Sequence, residues 1–168
     1  MTDLVVGWDD YHRAIEDLAA KVAASGWKFD GIVCIARGGL RVGDALARIF
    51  KVPLAIIAAS SYTGEAGTVR GAITVAEHMT MTAPRLGERL LLVDDLVDSG
   101  VTLDVVKRHL LARHREVKEV RTAVLWHKAC SQVVPDFAVA RLADSPWIRQ
   151  PFERYDLMQP ADLVGRAA

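Results

Sequence analysis

The apolar run Leu90-Leu91-Leu92-Val93, closed at once by the paired acids Asp94 and Asp95, constrains this chain more than any other stretch. Four apolar residues in a row suit a strand buried on both faces of a parallel sheet, and such a strand needs helices above and below it. Asp98 follows in a short loop, and Ser99-Gly100-Val101-Thr102 leads into VTLDVVKRHLLARH. There Val101, Val105, Leu110 and Leu111 recur near helical spacing, which predicts the buried face of a helix. Lys107, Arg108, Arg113 and His114 gather toward its C-terminal end. The order is strand, acidic edge, Ser/Gly/Thr turn, helix.

A turn of this kind offers backbone N–H groups, two hydroxyls and a helix N-terminus to one anion, so it is a natural phosphate cradle. The neighbouring carboxylates would repel a bare phosphate unless they hold a cation or accept from sugar hydroxyls. A ligand carrying phosphate, hydroxyls and Mg²⁺ resolves that conflict. Two other readings compete. An apolar run ending in Asp-Asp could be the Mg²⁺-binding second motif of a P-loop NTPase, but no G-x-x-x-x-G-K-[ST] occurs in the chain. A plain strand end with solvated acids and a capped helix does not account for Asp98 and the Ser-Gly-x-Thr turn together.

The 168 residues predict one domain, 1–168, large enough for a real core. Lys+Arg and Asp+Glu are equal at 21 each, so no global field gathers nucleic acid. The N-terminus MTDLVVGWDDYHRA has neither the basic nor the apolar region of a signal peptide, and no apolar run approaches membrane-spanning length. A cytoplasmic protein without nucleic-acid or membrane partners is expected. Cys34 and Cys130 stand far apart without a C-x-x-C, which predicts two free buried thiols in a reducing compartment.

Taken in order, Leu4-Val5-Val6 predicts an edge strand or anchoring arm, and Trp8 to Ala24 a helix. Asp9 or Asp10 is the expected cap, Tyr11, Ile15, Leu18, Ala19 and Val22 the buried face, and Ser25-Gly26 the stop. Phe29 to Ala36 reads as a buried strand, followed by Arg37-Gly38-Gly39-Leu40 and a helix from Arg41 to Phe50. Paired glycines let backbone amides approach a ligand closely, and Arg37 adds a rigid multi-donor fork suited to phosphate. Val52 to Ser60 predicts a third strand. Residues 61–70, SYTGEAGTVR, read as a mobile excursion, and Gly71 to Met79 as the returning strand of a long hairpin. Thr80 to Glu88 is then an expected loop. Val117 to His127 is a strand ending at Lys128, on the same rim as the acids, and Asp136 to Ala143 is a further strand. Asp144 to Phe152, with two prolines and Trp147 and no periodicity, predicts a structured cover.

Residues Arg89 to Thr102 resemble the phosphoribosyl pyrophosphate (PRPP) signature of the type I phosphoribosyltransferases: four apolar residues, two acids, an apolar pair, an acid, then Ser-Gly-x-Thr. The N-terminal VVGWDD, the ARGGL turn, the Ser60-Ser61-Tyr62 start of the excursion, Lys128 at a strand end and Trp147-Ile148-x-x-Pro151-Phe152 are similar to the bacterial xanthine-guanine subgroup. The likeness covers Leu4 to about Phe152. It implies an α/β fold with a mostly parallel central sheet flanked by helices, a flexible loop, and a small C-terminal hood at about 144–160. The implied reaction transfers 5-phosphoribosyl from PRPP to N-9 of a 6-oxopurine in purine salvage, with Mg²⁺, in a homo-oligomer (dimer or tetramer).

In that resemblance Ser99, Gly100, Val101 and Thr102 hold the 5′-phosphate, and Asp94 and Asp95 take the ribose hydroxyls and the Mg²⁺ shell. Arg37, Gly38 and Gly39, with Arg70 from the loop, bind pyrophosphate, at a turn where the family often strains the backbone and sometimes carries a non-proline cis bond. Asp98 assists proton movement at N-7. Lys128 donates to O-6, Trp147 stacks on the base, and the backbone near Ile148 accepts from a 2-amino group. Ser61 and Tyr62 open a loop that closes over PRPP. The chain departs from the subgroup in a longer interval between Val101 and Lys128, in Ala-Cys-Ser-Gln after Lys128 where a Pro-Ala-Gly-like run is usual, and in its tail past Phe152. Rival readings are a non-catalytic PRPP- or nucleotide-sensing regulator on the same fold and a transferase for another base. No histidine pair has metal-ligand spacing, and all five histidines are expected to be structural or surface residues.

Overall fold

The computed structural model describes residues 3–61 and 73–166. In chain order the elements are β1 (Leu4–Val5), α1 (Trp8–Ala24), β2 (Gly31–Ala36), α2 (Gly39–Phe50), β3 (Leu54–Ser61), β4 (Ile73–Val75) and β5 (Thr80–Met81). Then come β6 (Arg89–Val93), β7 (Leu96–Val97), α3 (Val101–Arg113), β8 (Glu119–Lys128), β9 (Phe137–Leu142) and β10 (Ile148–Arg149), with 3-10 turns at Glu153–Asp156 and Pro160–Arg166. Strands β3, β2, β6, β8 and β9 run parallel as neighbours, while β4 and β5 both pair antiparallel with β3. A separate two-stranded ribbon joins β1 to β10.

The sheet divides the apolar residues by period two. Ile32, Cys34, Leu91 and Val93 face one core with Tyr11, Leu18 and Val22 of α1 and Val42 and Leu46 of α2. Val33, Ile35, Leu90 and Leu92 face the other with Leu103, Val106 and Leu110 of α3. Two-sided burial is why β6 reads as an unbroken apolar run. Leu90, Leu91 and Leu92 are fully buried, and each contributes about 1.5–3 kcal/mol relative to an exposed position.

Several local expectations are corrected. The first helix is capped by the Gly7 backbone with no side-chain cap bond, and Asp10 instead pairs with Arg13 one turn on. The second strand starts at Gly31 and not Phe29, and α2 begins at Gly39, two residues before Arg41. Among the described residues of the expected strand from Gly71 to Met79, only Ile73–Val75 is a strand, and part of the expected loop, Thr80–Met81, pairs with β3. Helix α3 buries Leu103, Val106 and Leu110, whereas Val101 and Leu111 are exposed. Leu103 and Val106 face the sheet because the helix enters directly from the Gly100 turn, and that phase selects the three-residue spacing. Cys34 is buried, and burial raises its thiol to about 12; Cys130 is exposed, because it falls in the turn after β8 and not within it. Among the described residues no helix is long and apolar enough to cross a membrane.

Candidate active site

The carboxyl ends of the parallel strands form one rim. There β6 and β7 behave as a single strand interrupted at two acids: Val93 pairs with Ala123 and Leu96 with Trp126, in unchanged register along β8. The ladder persists through the interruption. Asp94 N–H donates to Ala123 O (3.1 Å), and Asp95 O accepts from Leu125 N–H (2.9 Å) and Trp126 N–H (3.2 Å). The ladder holds the Asp94 N–H and the Asp95 carbonyl, while each carboxyl accepts from the next backbone N–H at the sheet's edge: Asp94 Oδ1 from Asp95 (2.9 Å) and Asp95 Oδ1 from Leu96 (2.7 Å).

The Arg37-Gly38-Gly39 turn packs against those acids. The Ala36–Arg37 peptide is cis. A Cβ on Gly38 would lie 2.5 Å from Asp95 Oδ1, and one on Gly39 would lie 2.6 Å from Val93 O, so neither position has room for a side chain. These glycines are demanded by approach. The Arg37 side chain is largely exposed and stands 3.9 Å from Asp156, a separation worth little in solvent.

Beyond the acids, Gly100 adopts φ +86°, and a Cβ there would also strike Val133 and Ser131. This left-handed residue turns the chain into α3, where Asp104 N–H donates to Gly100 O (3.1 Å). Ser99 Oγ accepts from Val101 N–H at 3.4 Å. A cavity of about 290 Å³ runs along this rim, lined by Asp94, Asp95, Asp98, Ser99, Gly100 and Thr102 among others. A wider groove of about 1140 Å³ shares Gly38 and Asp95 with it and continues beneath the tail, past Trp147, Gln150 and Phe152.

Asp98 is exposed and meets two side chains from the end of β8. Lys128 Nζ donates to its Oδ2 at 3.3 Å, and the Cys130 thiol donates to its Oδ1 at 3.1 Å. Lys128 is buried and stands 5.8 Å from the centre of the Trp147 ring, which is 64% exposed. A buried ammonium, a carboxylate and an open aromatic face therefore share one corner, suited to a flat polar ring. Ile148 is buried, held in place by the β1–β10 ribbon: Leu4 N–H donates to Trp147 O (2.8 Å) and Val6 N–H to Arg149 O (2.9 Å).

Burial raises Asp94 well above the usual carboxylate range, and the adjacent Asp95 charge adds to this, while N–H groups of Asp95 and Gly39 partly offset it. An acid so placed gains by meeting a cation. The donor set fits Mg²⁺: two carboxylates at a strand end, with no group of three His, Cys, Asp or Glu gathered as a closed cage among the described residues. Mg²⁺ is commonly held by one or two carboxylates together with substrate oxygens and water.

The fold thus brings Arg37, Gly38, Gly39, Asp94, Asp95, Asp98, Ser99, Gly100, Val101, Thr102, Lys128, Trp147 and Ile148 to the carboxyl rim of the sheet. Ser61 ends β3, its backbone paired with Ile73; Tyr62 and Arg70 lie outside the described residues. Two contacts were not anticipated. Gln150 is buried and its Nε2 donates to Asp95 Oδ2, and Cys130 touches Asp98. The run after Lys128 already marked the second as unusual. A lone amide before Pro151, among aromatic and basic residues, was the available signal for the first.

Residues 7–156 match the phosphoribosyl transferase domain family. The chain is 35% identical over 156 residues to the xanthine-guanine phosphoribosyltransferase of Gluconobacter oxydans, covering 92% of this chain and 87% of that one. Among solved structures it is similar to a purine phosphoribosyltransferase from Pyrococcus horikoshii (TM-score 0.74, 30% identity, 95% and 99% of the two chains). The Helicobacter pylori xanthine-guanine-hypoxanthine phosphoribosyltransferase shares the fold (TM-score 0.75, 24% identity, 93% and 96% covered).

Proposed function

This chain belongs to the phosphoribosyltransferase family, and on that premise we propose that it transfers 5-phosphoribosyl from PRPP to N-9 of a 6-oxopurine, releasing pyrophosphate. The observation that carries the base class is the corner where buried Lys128 lies 3.3 Å from Asp98 and 5.8 Å from the Trp147 ring centre. O-6 and N-7 are adjacent on one edge of a 6-oxopurine. An ammonium donating to O-6 and a carboxylate at N-7 match that edge, whereas the 6-amino group of adenine would point donor at donor.

Each residue then has a task. Ser99, Thr102 and the N–H groups from Gly100 and Val101 hold the 5′-phosphate at the start of α3. Asp94 and Asp95 accept from the ribose hydroxyls and would hold Mg²⁺. When bound, the cation offsets the charge that builds on the departing pyrophosphate. Arg37, Gly38 and Gly39 hold the leaving group, Arg37 through its guanidinium and the glycines through amides that no side chain shields. As the bond from C-1 to pyrophosphate oxygen breaks, positive charge spreads over the sugar ring and the two rim carboxylates lie close to it. Asp98 takes the proton from N-7 as N-9 bonds to C-1. Trp147 covers one face of the base, and the backbone near Ile148 accepts from a 2-amino group. Residues 1–168 are read as one unit for this purpose, the tail at about 144–160 forming the base-side cover, with the enzyme acting in the cytoplasm as a homo-oligomer.

The test is product identity. Protein, Mg²⁺ and PRPP are incubated separately with guanine, xanthine, hypoxanthine, adenine and uracil, and nucleotides are resolved by chromatography. Products from 6-oxopurines alone are expected. A product from adenine or uracil would refute the base class, and PRPP binding without any product would replace the enzyme reading with that of a sensor.

A further inference from the structure

Asp95 is held unlike any other carboxylate on the rim. It is only 8% exposed; Oδ1 accepts from Leu96 N–H at 2.7 Å, Oδ2 accepts from Gln150 Nε2, and Gly38 packs against the carboxyl, which still lines the rim cavity. Gln150 is itself 6% exposed and comes from the opposite end of the chain, directly after β10. Among the described residues its other polar atom, Oε1, has no hydrogen-bond partner, and neither does the buried hydroxyl of Tyr11, whose proton is held by burial and by the nearby Asp95 charge. A buried amide with its carbonyl unpaired is a poor way to fill space, because an apolar side chain of similar size would avoid that cost. What a glutamine adds here is the bond to Asp95.

The amide also differs from a basic side chain in a useful way. Lysine or arginine at position 150 would neutralise Asp95 and compete with a cation. The Gln150 N–H fixes one carboxylate oxygen while leaving the full negative charge in place. The same residue lies two positions after Ile148 and three after Trp147, in a segment pinned to β1 through Trp147 O and Arg149 O. A shift of the base-contacting segment is therefore transmitted to the carboxylate that faces the PRPP side.

We propose that Gln150 is a positioning residue that couples the two halves of the site: it sets the orientation of Asp95 and makes base binding and PRPP binding favour one another. The inference rests on the phosphoribosyl-transfer reading above. Binding linkage is reciprocal, so either ligand reports on it.

The test uses the full chain and an unreactive base. 9-Deazaguanine has carbon where N-9 would attack, so it forms a ternary complex with Mg²⁺ and PRPP without ready turnover. Calorimetry gives the PRPP dissociation constant with and without saturating 9-deazaguanine. In the parent protein the analogue should tighten PRPP about fivefold or more. In Gln150→Leu, and in Gln150→Met, which keeps the length of the side chain but has no N–H to donate, the ratio should fall to about one. In steady state with hypoxanthine, the KM for PRPP should rise more than the KM for the base, with the melting temperature of Gln150→Leu not lowered. A retained ratio in either folded variant, or a parent ratio of one, overturns the coupling. If Gln150→Leu does not fold, Gln150→Met decides. Nucleotide formation by the parent is scored separately: an active parent with coupling intact in the variants refutes this inference alone, and an inactive parent refutes the reading beneath it.

Discussion

The two rims of the sheet each carry aspartate pressed against glycine, and they use it in opposite ways. At the amino rim, Asp30 Oδ2 accepts from Arg89 N–H (2.8 Å) and Glu88 N–H (3.1 Å), and Oδ1 faces the Arg89 guanidinium at 3.4 Å. A Cβ on Gly87 would collide with it. Those bonds, led by the Arg89 N–H, lower the Asp30 pKa. At the carboxyl rim Asp94 is raised by burial and by Asp95, and Gly38 has no room for a side chain against the Asp95 carboxylate. One acid is complete without a ligand and ties the start of β2 to the start of β6. The others form a concentration of negative charge that folding alone does not relieve. That difference separates a staple from a site.

The largest effect expected to sharpen the contrast is at Asp98. Asp98→Asn should lower kcat by about 10²–10⁴-fold with PRPP affinity nearly unchanged; an equal loss of PRPP binding, measured calorimetrically, would contradict its role at the base. Next is Gly38→Ala. The new Cβ must displace the Asp95 carboxylate or the turn, and kcat/KM for PRPP should fall about 10²-fold. The amino-rim counterpart, Gly87→Ala, should lower the urea midpoint and leave kcat per folded molecule unchanged.

Smaller effects separate the rims by sign. Asp30→Asn should destabilise by about 1 kcal/mol, the modest value expected for charge-assisted bonds at a partly exposed site. Asp94→Asn removes a crowded charge and should stabilise the ligand-free protein by about 0.5–2 kcal/mol. Urea unfolding checks both. The smallest effect is in pH dependence. With its folded pKa lowered, Asp30 contributes stability above the ordinary carboxylate range and loses it as pH falls through that range. With its folded pKa raised, Asp94 costs stability as pH rises above the same range. The acid-side fall in urea midpoint should thus be shallower in Asp30→Asn than in the parent.

Most of this architecture could be read from local pattern. Trp8–Ala24 forms as expected because one face carries Tyr11, Ile15, Leu18 and Val22 at helical spacing, and the Leu90–Val93 run forms because both of its faces are covered. Local pattern failed where geometry is decided at a distance. The face of α3 depends on how Gly100 launches the helix, and Val105 and Leu111 offered a competing stripe. The return after residue 72 splits into β4 and β5 because β3 offers its free edge in two places. The rim acids and the Ser-Gly-x-Thr turn are contiguous in sequence and were legible together. Gln150 meets Asp95 across 55 positions and Cys130 meets Asp98 across 32, so local sequence marks each residue as unusual without showing its partner.

The most direct measurement is calorimetric titration of PRPP into the parent protein, Asp94→Asn and Asp30→Asn, each with and without Mg²⁺. Mg²⁺-dependent binding is expected in the parent, the same binding in folded Asp30→Asn, and its loss in Asp94→Asn. Undiminished Mg²⁺-dependent binding in Asp94→Asn would contradict the claim that the carboxyl-rim acids are held in readiness for the cation and its substrate.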